Sequence, residues 1–197
     1  MSRQVIKLGI TGGIGSGKSI TCKVLEVLKV PVYYADDRAK WLMNNDPYLI
    51  QSIIKLFGTD SYQKGTLNRP FIASRIFQDH ELLEEMNALV HPVVNNDFKK
   101  WVEDQTEPIV AKEAALLFES GSYQQLDQTW LVTCPVDKRI SRIKSRDPHR
   151  STGEIQSIIQ KQWTEERKLP LSDFVIVNDD RKLVIPQILK GIAKLTH

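Results

Sequence analysis

Two cysteines in 197 residues, Cys22 and Cys134, are too few and too far apart for a disulfide framework or a thiolate metal site. Both are expected to be reduced core residues, as in a cytoplasmic protein. Aromatic residues make up only 8% of the chain, and its four tryptophans, Trp41, Trp101, Trp130 and Trp163, do not interleave with a basic patch. That argues against base stacking and leaves packing as their default role. A formal charge of +3 is too mild to indicate a nucleic-acid partner. No apolar run approaches membrane-spanning length, residues 1–4 lead straight into an apolar segment and leave no room for a signal peptide, and there is no repeat or low-complexity tract. The expectation is a soluble cytoplasmic protein without membrane or nucleic-acid partners. Its length is enough to bury a core without oligomerising, so a monomer is expected.

Against that plain background one segment stands out: Gly12-Gly13-Ile14-Gly15-Ser16-Gly17-Lys18-Ser19, which fits the phosphate-binding P-loop pattern at every position. Glycines at 12, 13, 15 and 17 are expected to allow positive φ and to turn backbone N–H groups of Gly13, Ile14, Gly15, Ser16 and Gly17 toward a phosphate. Lys18 then bridges β- and γ-phosphates, and Ser19 offers its hydroxyl to Mg²⁺. Context agrees, because Val5-Ile6-Lys7-Leu8-Gly9-Ile10 reads as a buried parallel strand. Ile20, Val24, Val27 and Leu28 follow at helical spacing, giving the strand–loop–helix order that the mechanism needs. The implied chemistry depends on a nucleoside triphosphate.

Further strands are expected at 30–35, 108–112, 129–133 and 174–177, separated by helical periodicity, which predicts an α/β fold on a five-stranded parallel sheet with helices on both faces. Residues 36–107 read as a helical excursion without strands, with apolar spacing at Leu49, Ile53, Ile54 and Phe57 and again from Leu82 to Val90. Such an excursion leaves from the strand carboxyl ends, where ligands bind in open α/β sheets. A second excursion, 137–171, is rich in Arg and Lys, breaks at Arg146-Asp147-Pro148-His149-Arg150 and suits a lid. The nucleotide-binding core is then 1–35, 108–136 and 172–197, closing with an amphipathic helix through Leu183, Val184, Ile188, Leu189 and Ile192.

Asp36 follows the second strand, where a carboxylate can orient an acceptor hydroxyl and take its proton late in phosphoryl transfer, or can simply cap the next helix. Arg139, Arg142 and Arg146 share one helix face, fit either for a transferring phosphoryl group or for solvent or an RNA contact. Asn178, after Phe174-Val175-Ile176-Val177, either reads an adenine edge or starts a turn. Glu113 ends the third strand and either holds Mg²⁺ through water or serves as an ion-pair partner. His91-Pro92 is either a helix stop or a phosphate contact.

Taken together these segments resemble the dephospho-CoA kinase family over nearly the whole chain. The resemblance rests on the P-loop, Ala35-Asp36, Phe57-Gly58, Gly65-Thr66-Leu67-Asn68-Arg69 and Asn87-Ala88-Leu89-Val90-His91-Pro92. It continues through Leu116-Leu117-Phe118-Glu119, Arg142 with Arg146-Asp147, Gln162, and Asp173 to Asn178. It implies a P-loop NTPase core of three layers (α/β/α), a helical acceptor domain over 36–107 and a helical lid over 137–171. The implied reaction moves the γ-phosphoryl group of ATP, with Mg²⁺, to the ribose 3′-hydroxyl of dephospho-CoA. Asp36, Lys18 and Arg142 would be catalytic, Arg69 and His91 would bind the acceptor with Asp36, and Arg142 and Asn178 would join the P-loop around ATP. The chain departs from the family where Tyr34 replaces the first Asp of Asp-Ala-Asp, where Ala115 replaces a Pro, and where Ile20 follows Ser19, leaving Ser19 as the sole hydroxyl at the metal position.

Overall fold

The computed structural model describes residues 5–195, the side chain of Gln78 excepted. The expectation for residues 1–4 lies outside the described residues. The chain divides into two compact units, one formed by 1–34 with 105–197 and the other by 35–104.

The first unit holds a five-stranded, all-parallel sheet. Chain order gives β1 (Ile6–Thr11), helix α1 (Lys18–Val27) and β2 (Val32–Tyr34), while in space β2 lies at an edge. The 35–104 unit intervenes, with helices α2 (Ala35–Asn45) and α3 (Pro47–Phe57), strands β3 (Tyr62–Gln63) and β4 (Thr66–Leu67), and helices α4 (Arg69–Gln78) and α5 (His80–Glu103). The chain then returns as β5 (Ile109–Glu113), β6 (Gln128–Thr133), α6 (Val136–Arg146), α7 (Thr152–Gln160), α8 (Glu165–Lys168), β7 (Phe174–Val177) and α9 (Val184–Leu195). The sheet order is β2-β5-β1-β6-β7. Central β1 pairs with β5 on one side (Leu8 beside Ala111) and β6 on the other (Ile10 beside Trp130). The chain fills one side of β1 with β2 and β5 and then crosses over to add β6 and β7 on the other, and this change of direction opens a crevice at the carboxyl end of β1, where the P-loop begins.

Alternation along β1 sorts the two faces. Leu8 and Ile10 join Cys22 and Leu25 of α1, Trp130, Ile176 and Ile188 of α9 in one buried cluster. Gly9 faces the other way, where a Cβ would run into Leu117 and Leu126. The five expected strands are present, one with the expected bounds (Phe174–Val177) and the others within two residues of them. The helix expected after the P-loop is present as α1, but Ile20 and Val27 are exposed on it, and Thr21, Cys22 and Leu25 form its buried side. The reason is that α1 is anchored by the loop before it, which turns the small side chains of Thr21 and Cys22 toward the sheet.

In the second unit, α2, α3 and α4 each pack on α5, burying Leu42, Leu49, Ile53, Ile72, Met86, Val90, Val94 and Phe98. Three acceptor side chains start its helices: Asp46 accepts from Leu49 N (2.8 Å), Asn68 from Phe71 N (3.3 Å) and Asp79 from Leu82 N (3.0 Å). Arg38 grips Asp97 with two hydrogen bonds of 2.7 and 2.9 Å, fastening α2 to α5. Two expectations fail here. The region does contain strands, since β3 and β4 form a hairpin closed by Lys64 and Gly65 at φ 51° and 77°, too short for alternation to reveal. Nor does His91-Pro92 stop a helix: α5 continues to Glu103 because Val94 and Phe98 extend the buried stripe of Met86 and Val90, and this burial outweighs the one hydrogen bond Pro92 removes.

Among the described residues no helix is long and apolar enough to cross a membrane.

Candidate active site

The P-loop bends where β1 hands over to α1. Gly12, Gly15 and Gly17 have φ of 151°, 79° and 101°, in the region L side chains avoid. Gly13 does not share this conformation, contrary to expectation. It is glycine for want of space, because a Cβ there would collide with the Arg139 guanidinium.

The loop's carbonyls are largely spoken for, and this decides where its N–H groups point. Gly12 O accepts from Lys18 Nζ at 3.0 Å, Gly13 O from Ser16 N at 3.1 Å, and Gly17 O from Ile20 N and Thr21 N at 3.1 and 3.2 Å. Ser16 O accepts from Asn178 Nδ2 at 2.8 Å and Arg142 Nη1 at 3.5 Å. Ile14 O accepts from Arg139 Nε at 2.9 Å. Lys18 Nζ also lies 3.8 Å from the Glu113 carboxylate, at the end of β5. Ser19 is exposed on the first turn of α1, whose N-terminus carries the positive end of the helix dipole. Thr11 Oγ1, Ser16 Oγ and Thr21 Oγ1 are buried without a hydrogen-bond partner among the described residues. Such a concave, cationic, donor-lined loop can hold a polyphosphate.

The fit to Mg²⁺ follows from the donor set. No group of three or more His, Cys, Asp or Glu among the described residues could hold a metal ion. Mg²⁺ in phosphate-transferring sites asks for less: one or two hard protein oxygens, with phosphates and water completing the shell. The Ser19 hydroxyl and the Glu113 carboxylate are donors of that kind.

The three arginines of α6 do not act as one face. Arg139 is 5% exposed, packs beneath Gly13 and lies 3.9 Å from Glu165, so it braces the loop from behind instead of meeting solvent or substrate. Arg142 donates to Asn178 O (3.1 Å), Asn178 Oδ1 (3.3 Å), Asp180 Oδ1 (2.5 Å) and Cys134 Sγ (3.2 Å). Arg146 pairs with Asp147 at 2.9 Å. Helical spacing placed all three on one side correctly, but side chains this long choose partners within their own reach.

Asn178 is 7% exposed, and its amide donates to Ser16 O. The group expected to read adenine or to open a turn therefore tethers the P-loop. The turn belongs to its neighbour Asp179, which accepts from Arg181 N and Lys182 N at 3.0 and 2.9 Å.

In the other unit, Asp36 is exposed in the first turn of α2 and lies inside the helix, not at its cap. Arg69 is exposed as the first residue of α4, and His91 is exposed midway along α5. The first unit thus gathers the P-loop, Glu113, Arg142 and Asn178 around one loop.

Sequence reasoning missed what holds the segment after α7. Gln162 Oε1 accepts from Ile14 N at 2.8 Å, and Gln162 Nε2 donates to Ala115 O at 3.4 Å. Trp163 N donates to Glu119 Oε1 (2.8 Å), and Lys168, 1% exposed, pairs with the same oxygen at 2.8 Å. Glu165 Oε1 accepts from Cys134 N at 3.2 Å, and burial raises the Glu165 carboxyl above the ordinary range despite that bond and Arg139. Hydrogen-bond partners 31 to 148 positions apart leave no local signal. Burial also raises both thiols, Cys22 and Cys134, which are free and buried as expected.

The family model described as dephospho-CoA kinase matches residues 6–183. A dephospho-CoA kinase of Bacteroides fragilis strain YCH46 is 37% identical over 193 residues, covering 98% of this chain and 94% of the relative. One from Porphyromonas gingivalis strain W83 is 36% identical, covering 95% and 93%. Among solved structures, TT1252 from Thermus thermophilus superposes with a TM-score of 0.89 at 30% identity over 98% of this chain and 99% of that one. A dephospho-CoA kinase from Campylobacter jejuni, at 21% identity and TM-score 0.68 over 96% of each chain, shares the fold. With the family model spanning the strand, loop and helix that shape the phosphate nest, the chain belongs to the dephospho-CoA kinase family.

Proposed function

We propose that this chain transfers the γ-phosphoryl group of ATP to the ribose 3′-hydroxyl of dephospho-CoA, releasing coenzyme A and ADP, as the last step of coenzyme A synthesis in the cytoplasm. The observation that carries the donor half is the P-loop, with Lys18 Nζ at 3.0 Å from Gly12 O and 3.8 Å from Glu113. The acceptor half is supported by kinship with enzymes named for that substrate.

In this reading the N–H groups of Gly13 and of Gly15 to Ser19, with the Lys18 ammonium, hold the β- and γ-phosphates and offset charge that builds on them in a loose transition state, while the Ile14 N–H, expected to join them, is taken instead by Gln162 Oε1. The Ser19 hydroxyl and, through water, the Glu113 carboxylate would hold Mg²⁺, which when bound would supply further neutralisation of phosphate charge. Asp36 orients the acceptor hydroxyl and takes its proton late, while Arg69 and His91 bind the acceptor's anionic groups. Arg142 leaves Asp180 when residues 137–171 close as a lid, and its guanidinium then meets the phosphoryl group. Asn178 contributes to ATP binding indirectly, by fixing Ser16 O. The enzyme works as a monomer.

A coupled ADP-release assay with Mg·ATP and a panel of dephospho-CoA, pantetheine, AMP and nucleosides tests the proposal. Turnover with dephospho-CoA alone is expected. Turnover of AMP without dephospho-CoA would replace it with a nucleoside-monophosphate kinase.

A further inference from the structure

A trans peptide points its C=O and the following N–H in opposite directions. The Ile14–Gly15 peptide therefore has a fixed sense: Arg139 Nε holds Ile14 O at 2.9 Å from behind the loop, which sends Gly15 N–H to the opposite side, into the concavity. That Arg139 lies behind is clear from its packing, since Cβ atoms at Gly13 and Gly15 would both strike it. The preceding peptide is fixed too. Its N–H, on Ile14, is drawn out of the nest by Gln162 Oε1 at 2.8 Å.

We infer that Arg139 and Gln162 are positioning residues for phosphoryl transfer. They hold the two peptides flanking Ile14 so that Gly15 N–H meets the β/γ end of the triphosphate. The inference rests on the reading of this loop as the ATP site.

The clamp is itself held. Gln162 is anchored through Nε2 to Ala115 O (3.4 Å), and Trp163 N next to it through Glu119 (2.8 Å). Arg139 faces Glu165 at 3.9 Å, which in turn accepts from Cys134 N (3.2 Å). Neither residue reaches phosphate, so each acts through the loop. A donor aimed in advance at the place where charge develops needs no reorganisation during the reaction, and misaiming it slows chemistry more than binding.

The test uses Gln162→Met, which keeps the length and removes the acceptor, and Gln162→Glu, which keeps an acceptor for Ile14 N–H. Arg139→Met also removes the charge facing Glu165 and can fail to fold, so Gln162 carries the test. For Gln162→Met the expected result is a kcat lower by about tenfold and ATPγS affinity reduced about threefold or more, with ADP affinity within about twofold and an unchanged thermal midpoint. Gln162→Glu should recover most of kcat. Unchanged kcat and ATPγS affinity in folded Gln162→Met overturns the inference, as does an equal loss of ADP and ATPγS binding. A wild-type chain that binds neither nucleotide overturns the ATP-site reading, and the inference with it.

Discussion

Lys18 Nζ sits between Gly12 O at 3.0 Å and the Glu113 carboxylate at 3.8 Å, an ammonium held at the mouth of the phosphate nest with both side chains nearly buried. A cation placed there acts on phosphate charge in a poorly screened setting. Lys18→Met is expected to lower kcat by about 10³ while the fold remains intact. Steady-state kinetics beside a circular dichroism melt checks this, and retention of more than a tenth of wild-type kcat would deny Lys18 its role.

Asp36, exposed in the first turn of α2, is assigned the acceptor hydroxyl. Asp36→Asn keeps shape and some favourable interaction with the helix terminus but removes the proton acceptor. It should cost about 10² or more in kcat with nucleotide affinity unchanged, read by steady-state kinetics and by calorimetric titration with ADP. Normal turnover would leave Asp36 with helix-terminal electrostatics alone.

Lys168 and Glu119 form a buried pair at 2.8 Å, with side chains 1% and 12% exposed. Removing one partner leaves the other charge stranded. Lys168→Met is therefore expected to cost about 3–5 kcal/mol in urea unfolding, whereas the double variant Lys168→Met with Glu119→Gln, which retains an acceptor for Trp163 N, should recover much of that loss. Equal destabilisation by the single and double variants would mean that packing, not charge, sets the cost.

Lys112 on β5 is 2% exposed, and burial pulls its ammonium down from 10.5 to about 8. Below about 8 both folded and unfolded chains carry the proton and the burial penalty is fully present; between about 8 and 10.5 the unfolded chain binds more proton, so stability rises with pH there. The Lys112 contribution across that window should be on the order of 3 kcal/mol, and Lys112→Met should abolish it. Unfolding free energies measured at several pH values in both proteins decide the matter. Parallel pH profiles would refute the assignment.

The donor half was legible because its information is local. Eight consecutive residues specify the nest, and short apolar runs mark all five strands of the parallel sheet. What escaped was decided at long range or by competition. Arg139 looked like a phosphate contact because its spacing was right, yet Ile14 O and Glu165 claim it. Pro92 looked like an end because its local cost is visible, whereas the burial of Val94 and Phe98 that outweighs it depends on the other helices. The β3–β4 hairpin has two-residue strands and is fastened through Tyr62 OH to Met43 O at 2.6 Å and Leu67 N to Asn44 Oδ1 at 2.8 Å, contacts no periodicity announces. Arg38 and Asp97 lie 59 positions apart and meet only once α2 lies on α5.

The most direct measurement of the central claim is the identity of the product. Purified protein with Mg·ATP and dephospho-CoA should yield, mole for mole with ADP, a compound heavier by one phosphoryl group that NMR locates on the ribose 3′-oxygen. Formation of ADP without that product, or phosphate at any other position, would contradict it.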